Sequence, residues 1–167
     1  YQHNMNMSSG DELSWETTRH IRETCLCIRV QRAARALARH FDDALRPINM
    51  THGQYSLLVA LNQTEAPIMS EIAAALAMDR TTLTANLKPL ERDGLVKIAV
   101  DQKDKRSRRL IITGKGRARL KAAFPLWKSA HAVIDDAVGV ARVDRLRADL
   151  KAMAQLESSA AEQAAAE

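Results

Sequence analysis

The residues with the most chemistry to offer lie in two short stretches near the middle of the chain. The first holds Arg80, Thr81, Thr82, Thr84, Ala85 and Lys88; the second is a loop running through Lys103, Asp104, Lys105 and Arg106 to Arg108 and Arg109. Neither has the makings of catalysis. The chain carries no Gly-rich phosphate loop, no nucleophile elbow and no paired carboxylates in a plausible cleft, so an enzyme is not expected. The stretches instead offer cations, hydroxyls and methyl groups, which is chemistry suited to nucleic acid. Lys and Arg neutralise phosphates, Thr hydroxyls serve bases or phosphates, and the methyls of Thr and Ala can touch thymine. Arg80 is a candidate for guanine or phosphate, and Lys88 and Arg92 are better placed for phosphates. The plain alternative is that all of these are ordinary solvent-facing helix positions, with Thr82 turned partly inward to support a turn.

Charge favours the first view. The chain has 167 residues and a formal net charge of +5. Between Asp79 and Lys121 it carries 13 Lys/Arg against 5 Asp/Glu, and the remainder is net negative. A phosphate-binding surface requires positive charge concentrated in this way.

The elements that must hold these residues follow from pattern. Apolar residues make up 46% of the chain and aromatics only 4%, which favours a helical body with an aliphatic core. One long helix is expected from about Trp15 to Leu45, ended by Pro47. Thr51 and Gln54 have capping-box spacing and should open a second helix through Leu61. Pro67 marks an extended link. Ser70 is the expected N-cap of a third helix and Asp79 of a fourth. On the fourth, Leu83, Leu87 and Leu90 fall within about 60° and must face the core, leaving Thr81, Ala85 and Lys88 on the other side. Pro89 predicts a bend and Gly94 the end. Two apolar runs, 95–100 and 110–113, flank the basic loop as a hairpin. A fifth helix starts after Thr113 and runs to about Val138, with a kink or break at Pro125. Gly139 separates it from a sixth, whose stripe is Val143, Leu146, Leu150, Met153 and Leu156.

Helix, turn, helix and basic hairpin is the order of a winged helix-turn-helix, which lays one helix in the major groove and a hairpin on the backbone beside it. The expected fold is mostly α: about six helices and a short β-hairpin wing, with N- and C-terminal helices forming a dimerisation region. The expected organisation is a flexible start (1–12), a dimerisation helix (13–50), the winged DNA-binding region (51–116), C-terminal dimerisation helices (117–157) and a frayed tail (158–167). The terminal stripes are too long for a winged domain to cover alone, which implies a homodimer matched to two half-sites. No apolar run is long enough to span a bilayer, and the polar start lacks a signal-peptide core, so the chain is read as cytoplasmic.

The chain resembles the MarR family of bacterial transcription regulators. The resemblance covers roughly Ile21 to Leu156 and is carried by Ala73–Leu76 leading into Asp79–Leu95, by Asp104-Lys105-Arg106, matching the family's Asp-x-Arg wing element, and by Leu110–Gly116. It implies a homodimer on a pseudo-palindromic double-stranded operator, most members being repressors. It also implies a small effector, often an aromatic acid, phenol or thioester, bound between the dimer helices and the wing domain. In the wing it implies that Asp104 orients Arg106 toward the minor groove; the plain alternative is a solvated loop in which the two merely pair. Lys103 and Lys105 stand where many relatives are acidic, which predicts steeper salt dependence.

Phe41, His52, Tyr55 and Trp127 are candidates to line the effector site, although such aromatics are more often core. Cys27 resembles the reactive cysteine of the organic-hydroperoxide-sensing branch, which gives an alternative function in thiol redox sensing. That branch's supporting tyrosines are replaced here by Gln31, Phe41 and His52, which favours inert packing. Cys25 and Cys27 would sit about 200° apart on one helix and could not easily bridge, with Cys25 the more buried. His40, His52 and His131 are not at metal-ligand spacing, and no cofactor or metal is expected.

Overall fold

The structure, a computed structural model, describes residues 13–155. The expected flexible start, the frayed tail and Leu156 lie outside them. Contacts divide the chain into two units, one ending at Arg39 and the other beginning at His40.

The first unit departs from the single long helix expected. It contains α1 (Trp15–Thr24) and most of α2 (Leu26–Leu45), with Cys25 extended between them at φ −63°, ψ 113°. Ser14 caps α1, its hydroxyl accepting from the Thr17 amide. At the other end the Thr24 hydroxyl donates to the His20 carbonyl, and the Arg29 guanidinium donates to the Glu23 carbonyl at 2.7 Å. The break therefore falls where two poor helix formers, Thr24 and Cys25, meet and a long side chain satisfies a freed carbonyl. The 200° separation of the cysteines assumed a continuous helix and does not apply. Cys25 is half-buried and Cys27 exposed.

In the second unit Pro47 ends α2 in a 3-10 turn, Arg46–Ile48. The expected capping box opens α3 (His52–Leu61): the Thr51 hydroxyl accepts from the Gln54 amide, and the Gln54 side chain accepts from the Thr51 amide. α4 (Met69–Ala75) has its cap two residues before the predicted one. Glu71 reaches back to the Ile68 amide at 2.9 Å while Ile68 is bridged to Arg109, so Ile68 takes the cap position and Ser70 lies inside the helix. The turn to α5 (Arg80–Arg92) is closed by a Met78 amide bond to the Ala73 carbonyl, with Ala77 left-handed at φ 48°.

α5 runs on through Pro89 and stops at Gly94, φ 70°, where the Leu95 amide bonds back to the Leu90 carbonyl. β1 (Val96–Val100) and β2 (Arg108–Ile112) pair antiparallel, Val96 opposite Ile112 and Val100 opposite Arg108. α6 (Gly114–Val138) is capped by Thr113 and continues unbroken past Pro125. Gly139, φ 92°, turns the chain into α7 (Val140–Ala154). The core is aliphatic: Leu45, Leu57, Leu58, Ile72, Leu83, Leu87 and Leu110 are almost fully buried. Among the described residues, no helix is long and apolar enough to cross a membrane.

Candidate nucleic-acid interface

The stripe Leu83, Leu87 and Leu90 anchors α5 in the core, each at most 1% exposed. That fixes the rotation of the helix. Arg80, Thr81, Thr82, Ala85 and Lys88 are consequently exposed, and Thr84 is half-buried at the flank. Not every hydroxyl is free. Asp79 caps the helix through the Thr82 amide at 2.8 Å and the Thr82 hydroxyl at 2.6 Å, which holds its carboxyl below the usual range. Thr84 donates to the Arg80 carbonyl at 2.7 Å. Thr82 therefore supports the turn, and Thr81 is left with its hydroxyl outward.

In the wing, Asp104 organises the loop through its backbone. One carboxylate oxygen accepts from the Arg106 amide at 2.9 Å and the other from the Ser107 hydroxyl at 2.8 Å, and these bonds lower its pKa. No ion pair joins the Asp104 and Arg106 side chains among the described residues. The guanidinium of Arg106 stays exposed beside Lys103 and Lys105. A cleft of about 270 Å³ lies between α4, the start of α5 and the wing. Arg80, Arg106 and Arg108 all line it, with Ser70 and Ser107. No carboxylate pairs with these three arginines among the described residues. Helix and wing thus present unneutralised guanidinium groups to one opening, an arrangement suited to a polyanion.

Comparison with known proteins agrees. The profile of the MarR family matches residues 50–107, from the end of the 3-10 turn through the wing loop. The M. tuberculosis transcriptional regulator MosR, solved in complex with DNA, is 39% identical. The two superpose with a TM-score of 0.73 over 81% of this chain and 98% of MosR.

The chain belongs to the MarR family.

The transcriptional repressor CouR of Rhodococcus jostii, bound to a 23-mer DNA duplex, is 28% identical with a TM-score of 0.72, covering 86% of this chain and 99% of that one. The regulator TtmR of Methylorubrum extorquens is 38% identical over 92 residues, 55% of this chain and 47% of TtmR. The chain thus matches about half the length of that curated relative.

Within this MarR-family fold, sequence reasoning gave no sign that Asp101 and Arg109 pair. Asp101 is 4% exposed. It accepts from the Lys103 and Asp104 amides and from Arg109, and its pKa is lowered, mainly by the Asp104 amide bond. Arg109 also donates to the Ala66 carbonyl, 43 residues earlier in the chain.

The expected effector residues separate into two groups. Phe41, His52, Tyr55 and Trp127 come together in one aromatic cluster with His131. Phe41 lies 5.5 Å from His52 and 5.2 Å from His131, Trp127 lies 4.4 Å from His131, and Tyr55 stacks on Trp127. Burial raises the Tyr55 pKa. Tyr55 also lines an open cleft of about 600 Å³ between α3 and α6, with Val59, Leu120, Phe124, Arg117 and Lys121. The sequence cue is the run Arg117, Leu120, Lys121 and Phe124, which helical spacing places on one face of α6. Cys27 belongs to the other unit, where the Gln31 amide donates to its sulfur at 3.3 Å. Among the described residues no group of three His, Cys, Asp or Glu could hold a metal.

Proposed function

We propose that the chain is a DNA-binding transcriptional regulator, acting in the cytoplasm as a homodimeric repressor on a pseudo-palindromic operator and released by a small effector. The observation that carries this reading is the shared opening lined by Arg80 of α5 and Arg106 and Arg108 of the wing, with Thr81, Ala85 and Lys88 exposed on the same helix. α5 enters the major groove: Thr81 and Ala85 meet base edges, Arg80 a guanine or phosphate, and Lys88 the backbone. Lys103, Lys105 and Arg106 engage the flanking backbone and minor groove, on a loop shaped by Asp104. Thr82 and Thr84 shape the start of the helix.

The effector reading rests on the α3–α6 cleft. Its Tyr55, Val59 and Phe124 form an apolar wall, and Arg117 and Lys121 a cationic edge. That combination suits an aromatic or acyl group carrying a carboxylate or phosphate. CouR has been solved with p-coumaroyl-CoA, at 25% identity, which supports the same class of ligand here.

A second reading, redox control through Cys27, is favoured by one observation. The thiol is exposed and receives a hydrogen bond from Gln31, next to the helix break at Cys25.

One experiment separates these. Binding to the protein's own upstream DNA is compared with random DNA at physiological salt, with and without hydroperoxide, aromatic acids and acyl-CoA thioesters. Selective binding released by an anionic effector supports the main reading. Release by peroxide alone, abolished in Cys27→Ser, transfers control to the thiol. Equal affinity for random DNA overturns the operator-specific function.

A further inference from the structure

We propose that Asp101 and Arg109 are positioning residues that fix the wing against the helix-turn-helix, so that the wing is held at the height where it can reach DNA. The proposal rests on the DNA-binding function above, but the bonds that motivate it do not involve DNA.

A two-stranded hairpin is marginal by itself and needs external support to hold one orientation. Here the support converges on one guanidinium. Arg109 Nε donates to Asp101 Oδ2, and Arg109 Nη1 donates to the Ala66 carbonyl. Asp101 Oδ1 accepts from the amides of Lys103 and Asp104, both at 2.8 Å. The backbone adds the Leu110 amide on the Pro67 carbonyl at 2.9 Å and the bridge between Ile68 and Arg109. One side-chain pair therefore ties together the loop end of β1, the wing loop, β2 and the link that leads directly into α4.

Asp101 is a poor candidate for anything but this internal role. It is a carboxylate in the most basic part of the chain, where an exposed acid would repel phosphate, and it is 4% exposed. Arg109 has a side chain about one-third exposed. Its planar fork can hold a carboxylate and a carbonyl at once, which a single ammonium cannot do with the same geometry.

The division of labour between the two carboxylate oxygens makes the proposal testable. Asp101→Asn keeps an acceptor for the two loop amides but turns an amide NH2 toward Arg109. It also removes a negative charge, so pure electrostatics predicts tighter DNA binding. The positioning role predicts the opposite. Arg109→Lys keeps the charge and loses the fork.

Two readouts are taken on the full-length protein. Hydroxyl-radical footprinting on the operator follows the wing through the protection flanking the major-groove contact. Amide exchange on the free protein follows Leu110 against Leu87 and Leu90, whose protection reports that the core remains folded. We expect both variants to bind about tenfold more weakly, the size of a lost bond to a charged group. We also expect them to lose flanking protection while keeping the central footprint, and to exchange Leu110 at least tenfold faster with α5 unchanged. Wild-type or tighter binding by Asp101→Asn with intact flanks overturns the proposal, as does Arg109→Lys indistinguishable from wild type. If the wild-type protein shows no operator preference, it is the DNA-binding function that fails. The exchange arm still decides the strut, because unchanged Leu110 protection in both variants overturns it without any DNA.

Discussion

At the residue scale the sharpest constraint is Gly116, in the first turn of α6. A Cβ built there would lie 2.2 Å from the Leu95 carbonyl oxygen and 2.8 Å from a side-chain carbon of Ile112. Gly114, two residues earlier, has nothing within 4 Å. Gly116→Ala must push α6 off the wing base and should cost about 1–3 kcal/mol, the usual range for overpacking. Gly114→Ala should be neutral within about 0.5 kcal/mol. Denaturant melts of the pair give the answer; equal midpoints would mean that α6 is free to shift. A second residue-scale case is His131. Its Nδ1 is buried without a partner among the described residues, as is Asp135 Oδ1 one turn on. Burial lowers the His131 pKa, with Arg147 next and His40 adding, while Asp135 opposes. The folded state therefore binds this proton less readily than the unfolded chain, so stability is lost as pH falls from about 6.5 through the lower folded value. Asp79, Asp101 and Asp104 are shifted down as well, but their contributions, present above the unfolded carboxylate pKa, disappear only in more acidic solution. Between pH 7 and 5, His131→Phe should therefore flatten the stability profile relative to wild type. An unchanged slope would remove His131 from the account.

At the scale of elements, α5 and the wing should divide the DNA-binding energy by type of contact. Lys88→Ala should weaken binding to all sequences alike and reduce the slope of log affinity against log salt by about 0.9, one phosphate's worth. Thr81→Val should leave the slope unchanged and narrow the gap between operator and random DNA. Titrations at several salt concentrations check both, and a slope change from Thr81→Val would return that hydroxyl to the phosphates. The orientation of α5 was legible in the sequence because it rests on local rules. Asp79 as N-cap, the Leu83–Leu87–Leu90 stripe and Gly94 as terminator need only neighbours within a few residues, and all three stand in the structure. What sequence did not reveal depends on partners far along the chain or on competition between weak preferences. Arg109 meets Ala66 only once β2 has a register against β1 and the link. Ser70 lost the cap position because Glu71 and a bridge to Arg109 together favoured Ile68. The break at Cys25 has no proline or glycine to announce it; it arises where Thr24 and Cys25 add little to a helix that few contacts restrain. Phe41 packs on His52 and His131, and Trp127 on His131, neighbours that no local pattern announces, and Arg117 and Lys121 became candidates only when α6 was seen against α3.

At the scale of the whole molecule, the unanswered surface is apolar. On α6 and α7, Val133, Val138, Val140, Leu146 and Leu150 are between 38% and 61% exposed. Leu146 and Leu150 lie one turn apart on α7, a stripe that a helix leaves open to water only when something covers it. A second copy of the chain is the occupant that the proposed pseudo-palindromic operator calls for, because two linked reading heads gain affinity through effective concentration without any new contact to bases. Leu146→Gln with Leu150→Gln removes that apolar area without changing charge or helix propensity much. In sedimentation equilibrium the double variant should shift from dimer to monomer at micromolar concentration. Its affinity for a full operator should fall by about 10²–10⁴, while its affinity for an isolated half-site should match that of wild type. The half-site comparison carries the logic, since a variant damaged in its reading head would lose both. A double variant that stays dimeric would place the interface on other residues. A wild-type protein that binds half and full sites equally well would remove the need for a dimer on DNA altogether.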